Sequence, residues 1–254
     1  MRQLFLDATA KVQRKKKPQM RSLKNYYNHF MDLAKQYNNF ADDFSKHHIA
    51  DKNSNEASRE CFYNHINFLK PGMRLLDLAC GDGTDLFYYK KLGADIYGVD
   101  ASEELLSIAR SKLPDANLKI GLFENIPFED NFFDVVLSKY AIQTSHNLCP
   151  VFSEIHRVLK SGGVMMYLTL HPFRQYFEKK EVNGNYFEQK IVDSHLFSGK
   201  ITVKEPTHTL TEYLNDFLFK NFDVQAYDED WEPAAEFIDG KRYPGFLIIK
   251  AKKR

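Results

Sequence analysis

Cysteine is scarce in this chain. Cys61, Cys80 and Cys149 are its three, and none stands in a Cys-x-x-Cys pair or at metal-ligand spacing. That excludes a disulfide framework and gives no zinc signature, and a sparse odd count suits a reducing compartment. Adjacent His47 and His48 lack a third ligand at helical spacing, so no metal is expected. An excess of one charge is missing too: Lys and Arg total 35 against 34 Asp and Glu, a formal net charge of +1. Such a balance calls for no polyanionic partner and argues against nucleic acid. No apolar run is long enough to span a bilayer, and the first residues lack the apolar centre of a secretion signal. The expectation is a cytoplasmic protein without a membrane span. Oligomeric state is not legible.

What is present is a chain of 254 residues, enough for one domain with a real core. Lys11, Arg14, Lys15, Lys16 and Lys17 mark residues 1–20 as a basic, flexible tail. Residues 21–70 read as helices, with Leu23, Tyr26, Tyr27, Phe30, Leu33 and Ala34 along one stripe, until Pro71-Gly72 breaks the pattern. From 71 to 254 the chain reads as one domain. Its first part alternates: strands over 74–79, 95–100, 118–123, 133–138 and 164–170, with helices over 85–93, after Ser102 and over 151–160. That rhythm predicts an α/β, doubly wound, mostly parallel sheet. Gly162 and Gly163 are expected to end the last of these helices. Further on, 200–206 reads as a strand. Thr209 and Glu212 have capping-box spacing before a helix over 212–221, and two late strands without an intervening helix are expected to be antiparallel.

The stretch "LLDLACGDGTDL" (75–86) crowds small residues at the end of the first strand. Small side chains there let a ligand touch the main chain at the sheet's carboxyl edge. The dinucleotide fingerprint fails, because Leu86 stands where the third glycine belongs, and no Gly-Lys-Ser/Thr phosphate loop is present. An acid two residues ahead of the small run, Asp77, repels phosphate but suits an ammonium or sulfonium. Asp100 ends the second strand, where a carboxylate can accept two hydrogen bonds from a ribose diol.

Four segments, "LLDLACGDGTDL", "YGVDASEELLSIAR", "ENIPFEDNFFDVVLSKYAIQ" and "FSEIHRVLKSGGVMMYLTL", occur in order over 73–170. With them the chain resembles a class I S-adenosylmethionine (SAM)-dependent methyltransferase of the small-molecule type, similar to ubiquinone and menaquinone methyltransferases. The resemblance implies a Rossmann-like methyltransferase fold with seven strands, a helical N-terminal lid over 21–70, and SAM as cofactor with S-adenosylhomocysteine (SAH) as product. It implies that Asp77, Ala79, Cys80, Gly81 and Gly83 surround the methionine and ribose portions of SAM, with Asp100 on the ribose hydroxyls. Ala101 and Phe123 would meet adenine, and Ser138 and Lys139 would border the cofactor. Tyr37 and Phe44 would touch it from the lid. Two residues depart from the pattern: Ala79 replaces the family's first glycine, and Leu122 replaces the acid that meets adenine's amino group, so Glu124 or a backbone carbonyl has to serve.

The expected activity is methyl transfer to a small organic molecule by in-line displacement. The loop after the fourth strand reads Ser138-Lys139-Tyr140-Ala141, unlike the Asn/Asp-Pro-Pro-aromatic loop of enzymes that methylate nucleobase amino groups. Cys149-Pro150 reverses the Pro-Cys order of cytosine-C5 enzymes. His171, directly after the fifth strand, is the expected general base, with Tyr140 as a second catalytic candidate and His146 and His208 behind them. An insert over about 171–205, rich in Phe, Tyr and Lys, is expected to complete the acceptor site. Alternatives from other classes are an inactive SAM-binding module and a protein or RNA methyltransferase.

Overall fold

The computed structural model describes residues 32–50, 55–179, 184–232 and 240–254. The basic tail and the expected stripe residues Leu23, Tyr26, Tyr27 and Phe30 lie outside the described residues. At the centre stands β1 (Arg74–Leu78), whose residues after Arg74 are all buried. A strand buried on both faces is mostly apolar on both, which is why "RLLDL" shows no alternation, with Asp77 as its buried exception. β2 (Asp95–Asp100) and β3 (Asn117–Ile120) follow on one side, and β4 (Phe133–Lys139) and β5 (Leu159–Leu170) on the other, all parallel. β8 (Phe222–Asp230) and β9 (Phe246–Lys253) complete the order β3-β2-β1-β4-β5-β9-β8, with β9 antiparallel to both its neighbours. This is the seven-stranded sheet that the resemblance implies.

Several of the helices begin at a side-chain cap. α3 (Thr84–Lys91) follows β1, and α4 (Glu103–Lys112) follows β2, with Ser102 Oγ accepting from Leu105 N at 3.1 Å. α5 (Leu148–Val158) starts at Asn147, whose side chain accepts from Cys149 N. Thr209 and Glu212 do form a capping box, but the helix they open is a single turn, α7 (Leu210–Tyr213). Asn215 then caps a second helix, α8 (Asp216–Asn221), accepting from Leu218 N at 2.9 Å, so the expected continuous helix is two.

Gly162 and Gly163 do not end a helix. α5 stops at Val158, and the glycines lie inside β5, where the pairing jumps from Phe133↔Leu159 to Val135↔Val164. A Cβ on Gly163 would stand 2.9 Å from Lys160 O and 3.1 Å from Asp134 O, so the bulge needs glycine there. The insert also differs from expectation by one strand. After α6 (Pro172–Lys179), β6 (Ile191–Leu196) and β7 (Ile201–Pro206) make a separate antiparallel ribbon. β6 escapes sequence reading because one inward position, Ser194, is polar and the run is short.

Two further pieces cover the sheet's carboxyl edge. They are a helical segment over 32–38 with α1 (Ala41–Ala50), and α2 (Glu56–Asn64). Among the hydrogen bonds that hold the first of them in place are Ser102 Oγ to Asn38 Oδ1 (2.6 Å), Lys204 N to Gln36 Oε1 (2.8 Å) and Ser45 Oγ to Asp82 Oδ2 (2.8 Å). Among the described residues no helix is long and apolar enough to cross a membrane.

Candidate active site

The strand order reverses at β1, between β2 and β4, and an open α/β sheet leaves a crevice at such a point. Here the crevice deepens into a cavity of about 920 Å³. Its floor is the loop after β1. Ala79 N and Cys80 N both donate to Val99 O, at 2.7 and 3.0 Å, which draws that loop against β2. Ala79 holds φ +66°, the left-handed conformation that its missing glycine would have adopted freely. Asp100 fixes the same loop, accepting from Gly81 N at 2.8 Å and Ser102 N at 2.9 Å. Each oxygen of that carboxylate keeps a lone pair for a ligand diol.

Of the residues assigned to the cofactor, Ala79, Cys80, Gly81 and Asp100 line the cavity from the strand ends. Ala101, Phe123 and Lys139 line it as well, and Tyr37 and Phe44 reach it from the lid. The other four do not. Asp77 is buried beside the wall, and Gly83 starts α3 against α4. Ser138 Oγ donates to Leu78 O at 2.9 Å, tying β4 to β1. Glu124 accepts from Ser145 Oγ and leaves Oε2 without a partner among the described residues.

The expected general base needs correcting. His171 is wholly buried and does not line the cavity. Its Nε2 lies 2.9 Å from Glu229 Oε2, and its Nδ1 accepts from Phe173 N at 3.1 Å, so both ring nitrogens are used to fasten the start of α6 to β8. Nor do His146 and His208 line the cavity. Tyr140 does. It has φ +51°, and its hydroxyl donates to Ser58 Oγ at 2.6 Å. Burial pushes its phenol far above the ordinary range, so it stays protonated and acts as a donor.

Three acids that the sequence reading left without a role prove central. Asp85 lines the cavity and pairs with Lys139 Nζ at 2.5 Å, with Tyr63 bonded to the same oxygen. Burial pushes Asp77 well above the usual carboxylate range, helped by Asp85 and opposed by Lys139. Burial also acts upward on Asp85, but Lys139 and His48 outweigh it and hold it low. Two carboxylates therefore share one buried ammonium. A cationic ligand beside them would supply the missing charge. Asp82, fully buried, binds the lid through Ser45 and His48 and binds α4 through Lys112. On the opposite wall Glu205 is buried, accepting from Ser194 Oγ and Gln175 Nε2, and burial raises its carboxyl. Asp82 and Asp85 sit within the motif itself, but only the fold shows which side chains face inward.

Away from the cavity, Cys61, His65 and Asp228 bring ligand-type atoms within 4.8 Å of one another. Cys61 and His65 are one helical turn apart, and β8 brings Asp228, which already bonds His65.

Leu105, Val99 and Phe123 line the cavity with apolar surface that suits a purine and Asp100 with a carboxylate that suits a diol, while Asp85, with buried Asp77 acting on it from outside the lining, gives negative charge that suits a cation. A Cβ on Gly81 would meet only Phe44 within 4 Å, so the main chain there is open to a ligand. These residues fit SAM. Comparison with known proteins agrees. Residues 76–167 match the family described as "Methyltransferase domain". An uncharacterized methyltransferase of Synechocystis sp. is 38% identical over 105 residues, which cover 41% of this chain and 50% of that protein. A demethylmenaquinone methyltransferase of Chlorobaculum tepidum is 38% identical over 91 residues, 35% of this chain and 38% of that protein. The chain thus spans half or less of the length of these curated relatives. A solved structure assigned as an S-adenosylmethionine dependent methyltransferase of Listeria monocytogenes superposes with a TM-score of 0.60 at 28% identity, covering 72% of this chain and 92% of that one. Sheet order, switch-point cavity and matched motifs converge on one family, and residues 76–167 are a class I S-adenosylmethionine-dependent methyltransferase domain.

Proposed function

We propose that the chain transfers the methyl group of SAM to a small organic acceptor. One observation carries this reading above all: the cofactor-side residues and the acceptor-side residues line a single covered cavity. From Asp100 and Ala101 at the strand ends it runs past Tyr140 to Arg174 on α6 and Glu205 on β7. Its volume of about 920 Å³ is at the upper end of small-molecule sites, room for a cofactor and a second small ligand. The 32–38 segment and α1 roof it, with Phe44 and Phe197 packed edge to face at 5.2 Å. A roofed chamber suits a compact acceptor better than a polymer.

SAM supplies an electrophilic methyl carbon on a positively charged sulfur. The chain's own part is to place and shield. Asp100 would hold the ribose diol, Asp77 and Asp85 the positive end, and Leu105 and Phe123 the purine. The aromatic roof covers part of the cavity, and alignment of donor and acceptor there would contribute several kcal/mol without covalent catalysis. Where the acceptor must lose a proton, Glu205, which lines the cavity from β7 and whose carboxyl burial shifts upward, would take it. Tyr140 holds a donor hydrogen bond and no proton-accepting role.

Calorimetry with SAH tests the first half of this reading, and incubation with methyl-labelled SAM and a small-metabolite extract tests the second. Micromolar SAH binding and a labelled small product are expected. Absent SAH binding would end the proposal. Binding without any labelled product across many extracts would favour an inactive SAM-binding module.

A further inference from the structure

Both signs of charge line the acceptor half of the cavity, but they are not matched alike. Every carboxylate there already has a donor. Glu205 accepts from Ser194 Oγ at 2.5 Å and from Gln175 Nε2 at 3.1 Å. Glu178 accepts from Arg174 Nε at 3.0 Å and from Tyr243 Oη at 3.1 Å. Glu232, almost wholly buried, accepts from Ser58 N at 3.2 Å.

The guanidinium groups are left over. Arg174 spends Nε on Glu178, while its Nη1 is buried with no partner among the described residues. The side chain of Arg59, on α2, makes no hydrogen bond and no ion pair among the described residues, yet the residue lines the same cavity. The two arise on helices far apart in sequence. Tyr140, which lines the cavity too, donates its hydroxyl to Ser58, the neighbour of Arg59 on α2, and Glu232, Arg174 and Arg59 all bear electrostatically on that hydroxyl, so both guanidinium groups belong to one part of the cavity. A guanidinium offers five N–H donors in a planar fork that matches a carboxylate or phosphate. A buried donor left unpaired costs stability, which an anionic ligand would restore.

We propose that Arg59 and Arg174 together receive an anionic group of the methyl acceptor, a carboxylate or a phosphate, so that the acceptor is a small organic anion. This rests on the methyltransferase reading and narrows it to one charge class. The pair binds and orients the acceptor; neither residue takes part in breaking the bond to the methyl group.

The test has two arms, both on the full chain saturated with SAH or labelled SAM. In the first, the metabolite extract is split on a quaternary-ammonium resin before reaction. Labelled product is expected from the retained, anionic fraction, and product arising from the unretained fraction would overturn the inference. In the second, benzoate, phenyl phosphate and benzamide are titrated into the SAH complex. One of the two anions is expected to bind and the neutral amide not, which also tells carboxylate from phosphate. Arg59→Met and Arg174→Met are each expected to weaken that anion about 10- to 100-fold while SAH affinity holds. Equal binding of amide and anions, failure of both anions to bind, or variants that bind the anion as well as the parent chain would overturn it. Loss of SAH binding by the parent chain would instead overturn the methyltransferase reading, and calorimetry with SAH separates the two.

Discussion

His48, on the roof helix α1, places its Nδ1 3.1 Å from Oδ1 of Asp82, in the loop that floors the cavity. An ionised carboxylate can only accept, so His48 Nδ1 is the donor. Ser45 Oγ reaches the other oxygen at 2.8 Å and Lys112 Nζ reaches it at 2.6 Å. Roof, floor and α4 thus meet at one buried charge.

Replacing Asp82 by Asn should unfasten the roof. It strands Lys112 and His48 and is expected to cost about 3 kcal/mol of stability in chemical denaturation, with SAH affinity down roughly tenfold. Burial alone would raise this carboxyl, but its bonds to His48, Lys112 and Ser45 hold it far below the ordinary range. The sign follows: a depressed folded value adds stability above about pH 4, and acidification removes it. Unchanged SAH affinity in Asp82→Asn would show that the roof does not govern cofactor binding.

Asp77 has the opposite sign. Burial and Asp85 raise its carboxyl, so its share of apo stability is present in acid and is lost as pH rises through the raised value. A positive ligand charge nearby favours the ionised form and expels the proton. SAM carries a charged sulfur and SAH does not. The ratio of SAM to SAH affinity should therefore increase as pH rises from about 4 toward neutrality. Calorimetry at several pH values reads this directly, and a flat ratio would remove Asp77 from the sulfonium's surroundings.

The loop's backbone offers a paired test. Ala79 stands at φ +66°, so Ala79→Gly relieves strain and should stabilise the fold by about 1 kcal/mol. Gly83 has φ +77°, and an added Cβ would lie 3.0 Å from Ala109 Cβ and 3.3 Å from Ala109 Cα. Gly83→Ala should cost about 2 kcal/mol by strain and crowding against α4. Thermal melts of both variants decide; a destabilised Ala79→Gly would contradict the strained geometry.

His171→Gln is expected to lower stability by about 1–2 kcal/mol and to leave the turnover number within about twofold. Burial lowers the imidazole's proton affinity while Glu229 raises it in part, but neither nitrogen faces the cavity. Once an acceptor is known, steady-state kinetics measures this. A loss of several orders in turnover would return His171 to the chemistry.

Much of the architecture follows from local signals. Apolar runs of five or six residues between capped helices can bury both faces only in a parallel sheet, and Ser102, Asn147 and the Thr209–Glu212 box cap helices as their side chains dictate. The floor of the cavity is legible for the same reason, since Ala79, Cys80 and Gly81 are contiguous and Asp100 closes the next strand. The failures are equally physical. The Gly162–Gly163 pair looks like a helix stop, but only the close approach of Asp134 O across the sheet shows it to be a bulge.

The sequence by itself therefore determined the alternation of strands and helices through the first five strands, the loop at the first strand's end and the class of cofactor, because each depends on residues within one turn or one strand of each other. Only tertiary structure brought together the residues at the other end of the cavity. Arg59, Tyr140, Arg174 and Glu205 come from four separate elements, and His171 turns inward to Glu229 instead of joining them. Which charges meet, and which are left unmatched, depends on long-range packing that no local pattern encodes.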